Sequence, residues 1–153
     1  MSLRIDYTKT QREIYRAMGG VGRAVAGTGL ERSLIELVNI RASQINGCAY
    51  CLSLHIPDAL DAGVTQEQIN LLSAWHECGD LYSERERAAL QWAERNTRIA
   101  DGDHDDEAWA AVTAVFSEDE AMALTWAIAA INTWNRIAIP MRRPIIRSTA
   151  APG

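Results

Sequence analysis

Apolar residues recur along this chain at steps of three and four, the spacing of a helix face, and nowhere alternate long enough for a strand. Thr10-Gln11-Arg12-Glu13 reads as a capping box in an N-terminal helix, placed at 7–26, whose apolar face is Ile14, Met18, Val21 and Val25. Gly19, Gly20, Gly22, Gly27 and Gly29 weaken its second half; they follow a helix rather than a strand and match no phosphate-binding pattern. A second helix is predicted from about Leu30 to Ile45, with Leu34, Leu37, Val38, Arg41 and Ile45 on one face and Glu36 and Asn39 to its sides. Asn46-Gly47 breaks the chain, and a third helix runs from Cys48 to Ala62, stopped by Gly63.

Three further capping boxes follow. Thr65-Gln66-Glu67-Gln68 opens a helix burying Ile69, Leu72 and Trp75, which ends at Glu77-Cys78-Gly79-Asp80. Ser83-Glu84-Arg85-Glu86 opens another, with Ala89, Leu90, Ala93 and Ile99 apolar. After a polar loop at Asp101–Asp106 and a short helix from about Glu107 to Phe116, Ser117-Glu118-Asp119-Glu120 opens the longest helix. It reaches about Ile139, where Pro140 and Pro144 end it. The fold class is all-α.

Composition narrows the partners. The 153 residues are 48% hydrophobic with net charge −5, which suits one soluble domain with a real core: the helix at 7–26, a core at 30–140 and an irregular arm at 141–153. The acidic balance, without a basic run, argues against nucleic acid. The start of the chain lacks the apolar stretch of a signal peptide, and no segment has the ~18 uninterrupted apolar residues of a membrane span. Three cysteines without such a signal fit a reducing cytoplasm. In the most apolar helix, Asn132, Asn135 and Arg136 are expected either in a pocket or at a subunit surface. Trp75, Trp92, Trp109 and Trp126 recur at equal spacing, but their neighbourhoods do not match, so they read as separate core or interface residues. His76 beside Cys78 reads as a helix end with a spare histidine, and His104 among aspartates as a solvated turn.

The chemistry concentrates in Asn46-Gly47-Cys48-Ala49-Tyr50-Cys51-Leu52-Ser53-Leu54-His55. Helical spacing puts Cys48, Cys51 and His55 on one face. In the first turn the free N–H groups and the positive end of the dipole stabilise a thiolate, the reactive form of cysteine. The pair reads as a redox dithiol, as half of a zinc site, or as two small buried residues. Zinc takes four ligands, and the only other cysteine, Cys78, stands in no paired motif. The dipole favours Cys48 as nucleophile, whereas His55, one turn beyond Cys51, favours Cys51. Side chains three apart on a helix have Cβ atoms ~5–6 Å apart, beyond the ~3.5–4.5 Å of a relaxed disulfide. A bridge is therefore expected to tighten or unwind the first turn.

Glu36, Cys48-Ala49-Tyr50-Cys51 and His55 together resemble the Glu…CxxCxxxH signature of the AhpD-like alkylhydroperoxidases of the carboxymuconolactone decarboxylase superfamily. Ala130–Ala138 resembles the C-terminal helix of that family, and the likeness spans roughly Leu30 to Pro140. The resemblance implies an all-helical bundle assembled as a homotrimer or a trimer-based hexamer. It implies peroxide as substrate, with Cys51 attacking, Cys48 resolving, and Glu36 and His55 relaying protons. A dithiol donor, a lipoyl or thioredoxin-like protein, would return electrons; no cofactor or metal is implied. The better-studied peroxidase carries a histidine inside its CxxC, where this chain has Tyr50. Superfamily decarboxylases generally lack the cysteine pair. A redox-sensing or binding oligomer without turnover is the alternative from outside enzymology.

Overall fold

The structure is a computed structural model that describes residues 2–102 and 106–147. Among these the chain forms α1 (Arg12–Ala26), α2 (Arg32–Asn46), α3 (Ala49–Asp61), α4 (Gln66–Leu71), α5 (Glu84–Thr97), α6 (Asp106–Val115) and α7 (Glu118–Ala138). Two 3-10 segments, Leu72–Glu77 and Ile99–Asp101, complete the secondary structure, and the described residues contain no strand. The all-α expectation holds. None of the described helices is long and apolar enough to cross a membrane.

Three of the four capping boxes form. Thr65, Ser83 and Ser117 each accept the backbone N–H three residues on, while the side chain at that position reaches back to the cap. Each such cap stabilises its helix by about 1 kcal/mol. The box at Thr10 does not form. The Thr10 hydroxyl and N–H both donate to the Asp6 carbonyl in a turn of their own. Gln11, in left-handed backbone with φ 49°, becomes the cap, so the helix starts at Arg12 rather than near residue 7.

Helix α2 is the axis of the molecule, packed against α3, α5 and α7. Leu34 and every residue from Glu36 to Ser43 are buried, on all sides of the helix rather than along one stripe. Glu36 and Asn39, expected at the edges of its apolar face, are therefore interior. A helix enclosed by three neighbours has no solvent face, and its polar residues must find partners. Arg41 does so by donating from Nε to Glu94 Oε1 on α5 at 2.7 Å, and Trp75 Nε1 donates to the same oxygen at 2.8 Å.

The expected apolar face of α1 is covered progressively along the helix: Ile14 is 64% exposed, Met18 and Val21 are half-buried, and Val25 is buried. Ile99 is also exposed, because α5 ends at Thr97 and the chain turns through a 3-10 segment. The four equally spaced tryptophans sit on different elements: Trp75 in the core, Trp92 half-buried, Trp109 and Trp126 exposed. His76 lies at a helix end as expected, stacked on Trp75 and near Glu94. His104 lies outside the described residues, as does the arm beyond residue 147; its described part, 141–147, is a turn at 141–142 followed by irregular chain.

Candidate functional site

The site is built at the junction of α2 and α3. Gly47 takes a left-handed conformation, φ 71°, that only glycine adopts without cost. Its N–H donates to the Gln44 carbonyl and that of Cys48 to the Ser43 carbonyl, a Schellman closure of α2. Cys48 then serves as the N-cap of α3, with extended backbone and its Sγ accepting the Cys51 N–H at 3.3 Å.

This placement corrects the expected first-turn geometry. Cys48 lies just outside the helix, so the Cα atoms of Cys48 and Cys51 stand 5.4 Å apart, inside the ordinary disulfide range, and the sulfurs are bridged without unwinding α3. Both cysteines are buried, 1% and 2% exposed, among Ala42, Ile131 and Ala138 with Tyr50 against them.

The junction is pinned from α7. Asn46 Nδ2 donates to Asn132 Oδ1 at 2.9 Å and to Asn135 Oδ1 at 2.8 Å. Asn135 Nδ2 donates to Ser43 Oγ, and Asn132 Nδ2 to Thr97 Oγ1. Asn132 and Asn135 are buried within the subunit, and they fix the turn that carries Cys48. Arg136 is exposed and donates to Asn132.

Glu36 and His55 meet across α2 and α3, with His55 Nδ1 2.7 Å from Glu36 Oε2. A carboxylate only accepts, so Nδ1 carries the hydrogen and Nε2 is left as the basic nitrogen. Asn39 Nδ2 stands 3.5 Å from both atoms. With Nδ1 a donor, the Asn39 amide points its hydrogen at Glu36. Asn39 is a polar member of the site that periodicity missed; its position three residues after Glu36, one helical turn along, was the available signal.

Glu36, Asn39 and His55 form the polar end of a cavity of about 320 Å³, walled by apolar residues including Val25 of α1, Leu30 of the connection to α2, Ile35 of α2 and Trp134 of α7. Ile131 belongs both to this wall and to the cluster holding the two cysteines. Glu36, His55 and Asp58 each offer a ligand atom within 4.8 Å of the others, a donor set a divalent cation accepts. Asp58, however, already faces Arg32 at 3.8 Å. On the opposite side, Tyr7 lies near Tyr50, and burial, foremost, pushes its phenol up to about 12.

A model of the carboxymuconolactone decarboxylase family matches residues 12–95. An uncharacterized protein of Bacillus subtilis, YdfG, is 38% identical over 92% of this chain and 95% of its own length. The alkyl hydroperoxide reductase AhpD of Corynebacterium aurimucosum is 44% identical over a shorter stretch, 29% of this chain and 25% of that protein. Among solved structures, a protein of unknown function from Agrobacterium tumefaciens, suggested to be an antioxidant-defence AhpD, superposes with a TM-score of 0.91 at 39% identity, covering 96% of this chain and 100% of its own. The debrominase Bmp8 superposes with a TM-score of 0.77 at 25% identity, covering 88% of this chain and 72% of its own.

Proposed function

The chain is an AhpD-like member of the carboxymuconolactone decarboxylase family, and from that membership and its site we propose that it reduces peroxides through the Cys48–Cys51 dithiol. The observation that carries the reading is the 2.7 Å contact between Glu36 and His55, which points the basic nitrogen of His55 away from Glu36 at the polar end of a cavity next to the bridged cysteines.

In this mechanism His55 Nε2 takes the Cys51 proton, and Glu36 holds the imidazole in the required tautomer and steadies its positive form. The Cys51 thiolate attacks the terminal peroxide oxygen. An S–O bond forms as the O–O bond breaks, and the departing alkoxide takes the proton from His55. The Cys48 thiol then attacks the sulfenic sulfur, forming the disulfide and releasing water. A dithiol donor, of the lipoyl or thioredoxin-like kind, reduces the bridge by exchange. The cavity admits the peroxide from the Glu36 side, and Ile131, common to its wall and to the cysteine cluster, marks where it comes nearest Cys51.

The working form is a threefold assembly of single-domain subunits. Exposed Ile14, Met122 and Trp126 support it, since apolar surface of this kind is covered in stable oligomers. Peroxide consumption with a dithiol reductant, wild type beside Cys51→Ser, tests the activity. Turnover in the wild type and none in Cys51→Ser is expected. No consumption in either would leave a sensing or binding oligomer.

A further inference from the structure

The two chain ends meet over the start of α3, and both are basic. Residues 2–16 carry Arg4, Lys9, Arg12 and Arg16 against Asp6 and Glu13, and residues 136–147 carry Arg136, Arg142, Arg143 and Arg147 with no carboxylate. This is eight cations in a chain whose net charge is −5. The ends interlock: Arg4 donates from its N–H to the Met141 carbonyl at 3.0 Å and from its side chain to the Pro140 carbonyl, and Arg143 Nη1 pairs with Asp6 Oδ1 at 3.2 Å.

Together they sit on the first turns of α3, beside the dithiol, through Tyr50, which packs against the cysteine cluster. The Arg143 guanidinium lies 5.5 Å from the centre of the Tyr50 ring, between the two cysteines in sequence, and 5.4 Å from that of Tyr7. The N–H of Ile146 donates to Ser53 Oγ, whose hydroxyl donates in turn to the Tyr50 carbonyl. Arg4, Lys9, Arg12, Arg16, Arg142 and Arg147 are exposed, and among the described residues Arg4, Arg12, Arg16, Arg142 and Arg147 have no carboxylate within salt-bridge distance. Exposed Ile5, Ile145 and Ile146 add apolar contact area to the same surface.

A bridge buried to 1% and 2% exposure is exchanged fastest by a thiol held beside it long enough for it to open. We infer that the basic surface formed by the two chain ends beside Cys48–Cys51 is the docking face for the electron donor, and that the donor is a protein whose dithiol is ringed by carboxylates. Complementary charge raises the encounter rate and fixes the approach; like charge excludes other thiols. Nucleic acid, the other polyanion a basic patch could take, has no use for a surface beside a buried disulfide. The inference rests on the peroxidase reading only in requiring a dithiol donor.

The test follows reduction of the oxidised protein, by mass, without peroxide. The probes are short reduced dithiol peptides of one length, flanked by glutamates, glutamines or lysines. The acidic peptide should reduce the bridge about tenfold faster than the neutral one at low salt, and the basic peptide slower still. The differences should vanish as salt screens the charges. Arg142→Glu with Arg147→Glu, which leaves six cations against four carboxylates in these segments, should flatten the order while leaving reduction by uncharged dithiothreitol unchanged. The pair Arg142→Gln with Arg147→Gln should weaken it, should the charge reversal fail to fold. Equal rates for the three peptides would overturn the inference, as would tighter binding of a single-stranded DNA oligomer than of the oxidised acidic peptide. Neither result touches the peroxidase reading, which fails separately if reduced protein does not consume peroxide.

Discussion

At the scale of single residues, the site depends on two side chains that hold others in place. His55 is held by Glu36 on a different helix, so in the proposed mechanism the carboxylate acts on the sulfur through the imidazole. Replacing His55 with Ala should slow alkylation of reduced Cys51 at pH 7 by about tenfold, as the thiol returns toward the ~8.5 of a free cysteine. Glu36→Gln keeps the shape but not the charge that steadies an imidazolium, and should cost less. Peptide mapping of iodoacetamide-labelled protein reads both. A smaller effect from His55→Ala than from Glu36→Gln would mean that Glu36 acts directly.

At the scale of elements, the junction between α2 and α3 is the part most sensitive to one atom. A Cβ at Gly47 meets no neighbour, but its φ of 71° is strained for any other residue. Gly47→Ala should therefore cost ~1–2 kcal/mol in urea denaturation through backbone strain alone. Asn135→Ala should cost a similar ~1–3 kcal/mol by removing the partner of the buried Ser43 hydroxyl and one of the two acceptors of Asn46. A third expectation is pH-dependent. Burial alone would raise the Glu94 carboxyl, but donation from Trp75 and Arg41, with the Arg41 charge, holds it below its ordinary value. A folded-state value below the unfolded one gives stability that is full above about pH 4.5 and is lost as pH falls through the lower folded value. Glu94→Gln should flatten the acid limb of the stability curve below that point; an unchanged limb would contradict the pairing.

How much of this was legible depends on which physics set each element. Helices opened by Thr65, Ser83 and Ser117 were readable because cap and third-position partner are local. Thr10 failed because a tertiary clamp on Asp6 from Arg143, far along the chain, competes for the same segment. The dithiol and His55 were readable from spacing on one helix. The burial of Glu36, Asn39, Asn132 and Asn135 was not, because each is stabilised by a partner on another element. A polar residue at an apolar position gives no local sign of whether it faces water or a partner.

At the scale of the molecule, the uncovered apolar residues of α1 and α7 bear on assembly. Ile14, Met122 and Trp126 are 64%, 51% and 56% exposed. Light scattering at micromolar concentration should return a multiple of the 16.9 kDa chain mass, three or six copies, and Trp126→Asp with Met122→Asp should lower it. A stable wild-type monomer would remove the threefold assembly.

The central claim is that Cys51 attacks and Cys48 resolves, and single-turnover peroxide reduction with sulfenic-acid trapping tests it most directly. Reduced Cys48→Ser should consume one equivalent of peroxide and leave a trappable sulfenic acid on Cys51, without further turnover. Reduced Cys51→Ser should show no burst. A burst retained in Cys51→Ser and lost in Cys48→Ser would reverse the roles, making the cap position of Cys48, rather than His55, what selects the nucleophile.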